Sequence, residues 1–414
     1  MEESKYTAKS ETDRVLSVFE SFKKDAADIK LSSIDSAANS NEPVLTMSSL
    51  SKLGRFGNQL FQYAFLRICA RKSGARVECP PWIGQTLFGQ NDAPISQRLP
   101  PAIERWDVGE SLFDVIPEFV PYLEKLAGAK SSRVSSEALE HGLVNVDLWG
   151  FFQVHTQSLR LHKEYFRSLF QPVGDLKSAL EKGLNILRSQ GKTLVGIHIR
   201  RGDFITVPLA GFTLVVPTKW YCEWLDKIWG ELEDPVLFLC SDDIDSILPD
   251  FEKFCPVTSQ DLKVKLPERM EDLSVKFYID FYILSNCDVV AISNSIFSFT
   301  SCMLNERGKM FFRPHWDFST KFAVFDPWDS KPLLRLGDNQ PKFFKSLLDV
   351  LSVTYVTQGF WAMLKSIFIY VPISHIKGWG LRAYLGYQIQ GIFGVLKSLL
   401  YTLGWHSVWK KPGL

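Results

Sequence analysis

Two adjacent arginines next to a glycine, Arg200-Arg201-Gly202, are the residues of this chain best suited to chemistry. A guanidinium fork makes paired hydrogen bonds to phosphate oxygens, so such a pair suits a diphosphate. His198 stands two residues before Arg200, which puts both side chains on one face of an extended strand. Asp203 adds a carboxylate that either takes a proton from an attacking hydroxyl or orients Arg201. The bland alternative is a surface Arg–Asp cluster, and the apolar run directly before the segment argues against it. Two more polar clusters occur downstream, Ser241-Asp242-Asp243 and Asn294-Ser295-Ile296-Phe297-Ser298. Asp243-Ile244-Asp245 has the letters of a D-x-D metal site. That pair enters a helix, where acidic residues complement the N-terminal dipole, and no metal is expected.

The elements that position these clusters follow from periodicity and punctuation. Residues 192–200 read as a buried strand, 235–240 as a second and 288–293 as a third. Helical stretches at 217–232, 273–285 and 297–305 alternate with them. Strands alternating with helices imply parallel sheets with βαβ crossovers, in which ligands sit at the carboxyl ends of strands. All three polar clusters fall at such ends, which argues for one shared site. Upstream, Val44–Ser48 is a short strand candidate, followed by Gly54-Arg55-Phe56-Gly57-Asn58 and then helical apolar spacing at Leu60, Phe61, Ala64, Phe65 and Ile68. A strand, a Gly-rich turn and a helix start aim backbone N–H groups at a ligand. Gly74 ends that helix, and Ala75–Cys79 reads as the next strand. Residues 84–145 show no clear pattern, 144–154 read as a buried strand, and a long helix is expected from Glu164, with another over 176–189.

Bulk properties narrow the class. The 414 residues imply two domains plus extensions, and 46% hydrophobic with 22% charged residues is ordinary globular composition. A net charge of +1 argues against a general nucleic-acid binder. The seven cysteines are scattered with no C-x-x-C, so they read as reduced and mostly buried. No G-x-G-x-x-G follows a strand, which disfavours a dinucleotide-dependent oxidoreductase. His155 and His315 stand outside every motif and read as structural or exposed. Residues 1–43 carry charges throughout, do not resemble a signal peptide and read as a disordered leader. No run of about 20 apolar residues marks a membrane span. After Asp349 there are no acidic residues, while Lys365, Lys377, Arg382, Lys397, Lys410 and Lys411 interleave with Trp361, Trp379, Trp405 and Trp409. A basic, Trp-rich, amphipathic segment suits the surface of an anionic membrane, and residues 352–414 are its candidate. The alternative packs that segment on the catalytic lobes. The location expected is peripheral membrane or cytoplasm.

Four segments, in order, carry a resemblance. His198-Ile-Arg-Arg-Gly-Asp203 resembles the H-x-R-R-x-D signature of α-1,2- and α-1,6-fucosyltransferases. Leu53-Gly-Arg-Phe-Gly-Asn-Gln-Leu-Phe-Gln-Tyr-Ala64 is similar to the N-terminal motif of the α-1,2 family, Phe238-Leu-Cys-Ser-Asp-Asp243 to its F-S-D-D strand end, and residues 280–304 to its I-x-S-N-S-T-F-S-W-W block. The chain departs from that last block at Ile296, Phe299 and Thr300, which bears on acceptor identity. Gly54–Gln59 with Pro80-Pro-Trp-Ile83 also resembles the start of protein O-fucosyltransferases.

The resemblance implies an α/β, GT-B-like fold of two Rossmann-type lobes, an acceptor-side lobe over 44–190 and a donor-binding lobe over 191–335, with a helical tail over 336–414. It implies an inverting glycosyltransferase that moves L-fucose from GDP-fucose to a galactoside-type glycan, with an α-1,2 linkage and no cofactor or metal. Arg200, Asp203 and Asn58 are the catalytic candidates. His198, Arg201, Asn294, Ser295, Phe297, Ser298, Gly54, Arg55 and Gly57 are donor-binding candidates, and Asp242 or Asp243 is the candidate for the guanine edge. The alternatives are a transferase acting on protein Ser or Thr and an inactive glycan- or nucleotide-binding scaffold. Intact Arg200, Arg201 and Asp203 argue against the scaffold.

Overall fold

The computed structural model of the chain describes residues 42–105, 118–206, 215–271, 275–314 and 322–334. The leader, the basic tail 352–414 and His315 lie outside the described residues, as does the helical tail of the expected fold. The first sheet is built from β1 (Val44–Thr46), β2 (Arg76–Glu78), β3 (Pro101–Glu104), β4 (Ser132–Val134) and β5 (Val146–Trp149). Its order is β2-β1-β5-β3-β4, and every pairing is parallel. The second sheet contains β6 (Thr193–Ile199), β7 (Pro235–Ser241), β8 (Val289–Ile292), β9 (Met310–Pro314) and β10 (Phe322–Val324) in the order β10-β9-β8-β6-β7. Only the β9–β10 pair is antiparallel. The architecture is therefore α/β with two parallel-dominated sheets, as the alternation of strands and helices requires.

β6 lies between β7 and β8, so both its edges are paired, and every residue from Leu194 to Ile199 is buried, so both its faces are covered. This is why the segment reads as a continuous apolar run rather than an alternating one. The helices that matter for the site are α1 (Phe56–Ser73), α2 (Gly174–Arg188), α3 (Thr218–Ile228), α4 (Phe277–Leu284) and α5 (Ile296–Leu304). α1 ends at Gly74 in the left-handed region, as its sequence suggests. The long helix expected from Glu164 is a helix of only seven residues, Lys163–Leu169, preceded by a 3-10 turn, Thr156–His162. Gln171 precedes Pro172, which disfavours helical backbone there and closes the helix early. The unpatterned stretch 84–145 contains β3, β4 and the helices Ile83–Phe88, Phe119–Ala127 and Ala138–His141.

The two sheets share one hydrophobic core cluster that runs from Leu45 and Phe61 to Ile292, Phe299 and Trp328. After β10 the chain returns to the first half of the molecule. Thr156 N–H and Oγ1 both donate to the Ser330 carbonyl, and Trp328 packs edge-on against Phe166 while its Nε1–H donates to the Met303 carbonyl. Five of the seven cysteines, Cys69, Cys79, Cys240, Cys287 and Cys302, are buried thiols, and none is disulfide-bonded. Burial pushes the Cys69 and Cys79 thiols up to about 12, so they are inert packing residues.

Candidate functional site

The register of the second sheet brings the three polar clusters together. His198 pairs with Cys240 of β7 on one side and Ile292 of β8 on the other, so the loops after β6, β7 and β8 leave the sheet side by side. Asp242 organises the first of them. Its Oδ2 forms an ion pair with Arg200 Nη1 at 2.9 Å, and its Oδ1 accepts the Arg201 backbone N–H at 2.7 Å. Gly202 lies directly over that carboxylate: a Cβ there would sit 2.1 Å from Asp242 Oδ2, and φ is +25°. Only glycine fits both conditions. Asp242, a candidate for the guanine edge, thus has both oxygens committed to the Arg200–Arg201 turn.

From the other side, Ser293 Oγ accepts the Arg200 backbone N–H at 3.1 Å and lies 3.2 Å from His198 Nδ1. The Ser293 N–H donates to the His198 carbonyl, which extends the sheet by one more rung. The His198 ring is buried, and its centroid lies 5.1 Å from that of Phe297. Burial, together with the Arg200 charge, pushes its pKa down to about 3, so the imidazole is neutral at physiological pH.

The two arginines divide their surroundings. The Arg200 side chain keeps 14% exposure at the strand end, with its guanidinium 5.6 Å from the Phe204 ring. Arg201 is buried near Tyr221 of α3 and the carboxylates of Asp243, Asp250 and Asp242. Burial lowers its pKa and those neighbours oppose the loss, so the guanidinium stays charged. Asp243 precedes the four-residue helix Ile244–Ile247, and its N–H donates to Ser241 Oγ. Asp245 falls in that helix's first turn. Asp203 lies in the short helix Gly202–Thr206, and its side chain is outside the described part of the structure. Among the described residues, no three His, Cys, Asp or Glu side chains group as metal ligands.

α5 begins at this site. Ser295 stands at its N-cap position with extended backbone, ahead of the free N–H groups of the first turn. Ser298 is fully buried and donates its hydroxyl to the Ser295 carbonyl. Asn294 has both ends of its amide on the main chain of Leu334: Nδ2 donates to the carbonyl at 2.8 Å, and Oδ1 accepts the N–H at 2.9 Å. It ties the returning segment to the site loop. Phe299 and Thr300, two of the departures from the family block, are fully buried. Phe299 stacks on Phe325, and the Thr300 hydroxyl donates to the Ile296 carbonyl, so these are core positions.

The N-terminal motif reaches the same place from the other sheet. Gly57 meets the start of α5 so closely that a Cβ would lie 2.7 Å from Phe297 N and 2.8 Å from Ile296 C. Phe56 packs among Phe277, Tyr278, Phe281 and Phe297 at centroid distances of 5.0–6.4 Å. Asn58 folds back over Gly54, where a Cβ would sit 2.2 Å from its Nδ2, and its Oδ1 accepts from Gln153 Nε2. Arg55 is exposed at the N-cap of α1. A chain of contacts therefore runs from Gln153 and Asn58 through Gly57 and Phe297 to His198. Ser293 and Gln153 were not expected from the sequence. Ser293 adjoins Asn294-Ser295 and was within reach of that signal, whereas nothing near Gln153 marks it.

The family model for glycosyl transferase family 11 matches residues 37–322. The chain belongs to that family. All four motif segments lie inside the matched range. Among curated relatives, galactoside α-(1,2)-fucosyltransferase 1 of Rattus norvegicus is 26% identical over 69% of this chain and 77% of its own length. Galactoside 2-α-L-fucosyltransferase Sec1 of Mus musculus is 28% identical over 48% of this chain and 50% of its own. Among solved structures, the fucosyltransferase NodZ from Bradyrhizobium aligns with a TM-score of 0.43 and 14% identity, over 70% of this chain and all of that one. The α-1,2-fucosyltransferase resemblance of the motifs and the family found thus agree, and this family 11 chain is an enzyme of the fucosyltransferase kind.

Proposed function

We propose that the chain transfers L-fucose from GDP-fucose to a hydroxyl of a galactoside-type glycan, with inversion to an α-1,2 linkage and without a metal ion. The observation that supports this most is Arg200, held at the ends of β6 and β7 by Asp242 and Ser293 beside the N-terminus of α5. A guanidinium and a helix N-terminus on neighbouring strand-end loops suit a departing diphosphate. In inverting transfer the acceptor hydroxyl attacks the anomeric carbon on the face opposite the nucleotide. The C–O bond to the diphosphate breaks, and negative charge grows on the leaving group. Preorganised positive charge stabilises that state, so Arg200 takes the role a metal would otherwise have. Asp203 is the candidate that accepts the acceptor's proton. The galactoside and the linkage come from the names of the relatives.

The test is donor screening by thermal shift and sugar-nucleotide hydrolysis with GDP-fucose, GDP-mannose and UDP-sugars. GDP should stabilise the protein, and Arg200→Ala should remove that stabilisation and cost about 3–4 kcal/mol of transition-state energy, as loss of one such contact does. Equal shifts by GDP and UDP, or an unchanged Arg200→Ala, refute the assignment.

A further inference from the structure

Ser293 is fully buried at the end of β8 and meets two groups of the site. A backbone N–H can only donate, so Ser293 Oγ accepts from Arg200 at 3.1 Å. The hydroxyl has one proton left to place. Among the described residues its other polar neighbour is His198 Nδ1 at 3.2 Å. If Nδ1 carried a proton, it would donate to Oγ, and the buried serine proton would be left without an acceptor. If Nδ1 is bare, every group in the triangle is satisfied. Buried polar groups adopt the arrangement that leaves none unpaired.

We propose that Ser293 is a positioning residue that locks His198 in its Nε2–H tautomer and fixes the main chain of Arg200. His198 then serves the site as a hydrogen-bond donor and not as a general base, because its one lone pair faces Ser293 and its other nitrogen keeps the proton. The low proton affinity that burial and Arg200 impose on the ring keeps this neutral form in place. Phe297 holds the ring plane from the α5 side, at 36° to its own. A single hydroxyl thus orients a cation and a donor on the same strand, and neither could be read as coupled from the motif alone.

The experiment reads the tautomer directly. The full chain, labelled with 15N-histidine, is observed by NMR without donor, and the His198 signals are assigned by their loss in His198→Gln. The expected result is an unprotonated Nδ1 and a protonated Nε2. Ser293→Thr should keep that pattern, and Ser293→Ala should lose it. In the same variants kcat with GDP-fucose should fall about tenfold for alanine, the size of one lost hydrogen bond. KM should stay near the parent value, and threonine should restore most of the loss. An Nδ1–H tautomer or an imidazolium in the parent protein overturns the proposal, as does a Ser293→Ala chain with unchanged tautomer and kcat. If Ser293→Ala does not fold, the parent and threonine spectra still decide. The proposal rests on the proposed donor site only for its kinetic arm, since the spectra need no nucleotide.

Discussion

Gly57→Ala tests whether the junction of α1 and α5 sets the geometry of the site. The added Cβ would lie 2.7 Å from Phe297 N and 2.8 Å from Ile296 C. Both are backbone atoms, so no rotamer change relieves the clash. An ordinary contact of about 3.5 Å requires the helix starts to part by roughly 0.8 Å. Overpacking of this kind costs about 1–3 kcal/mol, against which alanine regains up to about 1 kcal/mol of helix propensity. With the full regain the net loss is up to about 2 kcal/mol, a fall of up to a few degrees in Tm. The control is Gly74→Ala at the far end of the same helix. There φ is 67° and nothing lies within 4 Å of the new Cβ, so the cost, roughly 1–2 kcal/mol, is backbone strain alone. The two variants should lose similar stability. Only Gly57→Ala moves the first turn of α5 and the Phe297 ring on His198, and a misplacement near 1 Å costs up to about 100-fold in rate. Thermal unfolding and donor turnover, measured on both variants, give the comparison. Gly57→Ala with the turnover of Gly74→Ala would refute the junction as a site element.

On the proposed mechanism, in which Arg200 neutralises the leaving diphosphate, activity should persist in excess EDTA. Loss on chelation, restored by Mn²⁺ or Mg²⁺, contradicts the metal-free mechanism. Among the described residues Asp280 Oδ1 of α4 is buried without a hydrogen-bond partner, and burial, opposed by a hydrogen bond from Ser259, pushes the carboxyl up to about 6. That value lies above the unfolded one of about 3.9, so the folded state holds the proton more tightly. Its burial therefore costs nothing below about pH 4, and the full penalty is present above about pH 6. Asp280→Asn should remove this fall in stability and gain up to about 3 kcal/mol near pH 7.5, read by denaturant unfolding at both pH extremes. A variant no more stable than the parent near pH 7.5 contradicts the assignment. Deleting residues 352–414 should abolish flotation with acidic liposomes, to which each Lys or Arg near the surface contributes roughly 1 kcal/mol, and leave the GDP thermal shift intact. A full-length chain that does not float rules out the membrane role.

Much of the site was legible because its determinants are local. An apolar run followed by Arg200-Arg201-Gly202 marks a strand end regardless of what packs around it, and β6, β7 and β8 fall where that pattern puts them. The strands of the first sheet were harder to see. β3 and β4 have four and three residues, too few for a period to emerge, and their pairing is with segments dozens of residues away. The helix expected to be long from Glu164 has only seven residues, because Pro172 disfavours helical backbone at Gln171. Asp242 looked like a free carboxylate in sequence, and its commitment to Arg200 and Arg201 follows from a loop crossing of 41 residues.

The sequence by itself determined the family, the strand-end placement of the three polar clusters and the burial of most of the cysteines, since each depends on residue type and near neighbours. The tertiary structure decided which of those polar groups are free to act. Ser293 meets Arg200 across 93 residues and Gln153 meets Asn58 across 95, and Gly57 owes its glycine to the backbone of a helix in the other sheet's half. A hydroxyl, an amide or a missing Cβ carries no mark in the chain of what it will touch. Its role is set by the partner that folding brings within hydrogen-bond or contact distance, and that partner is specified by the packing of the whole core.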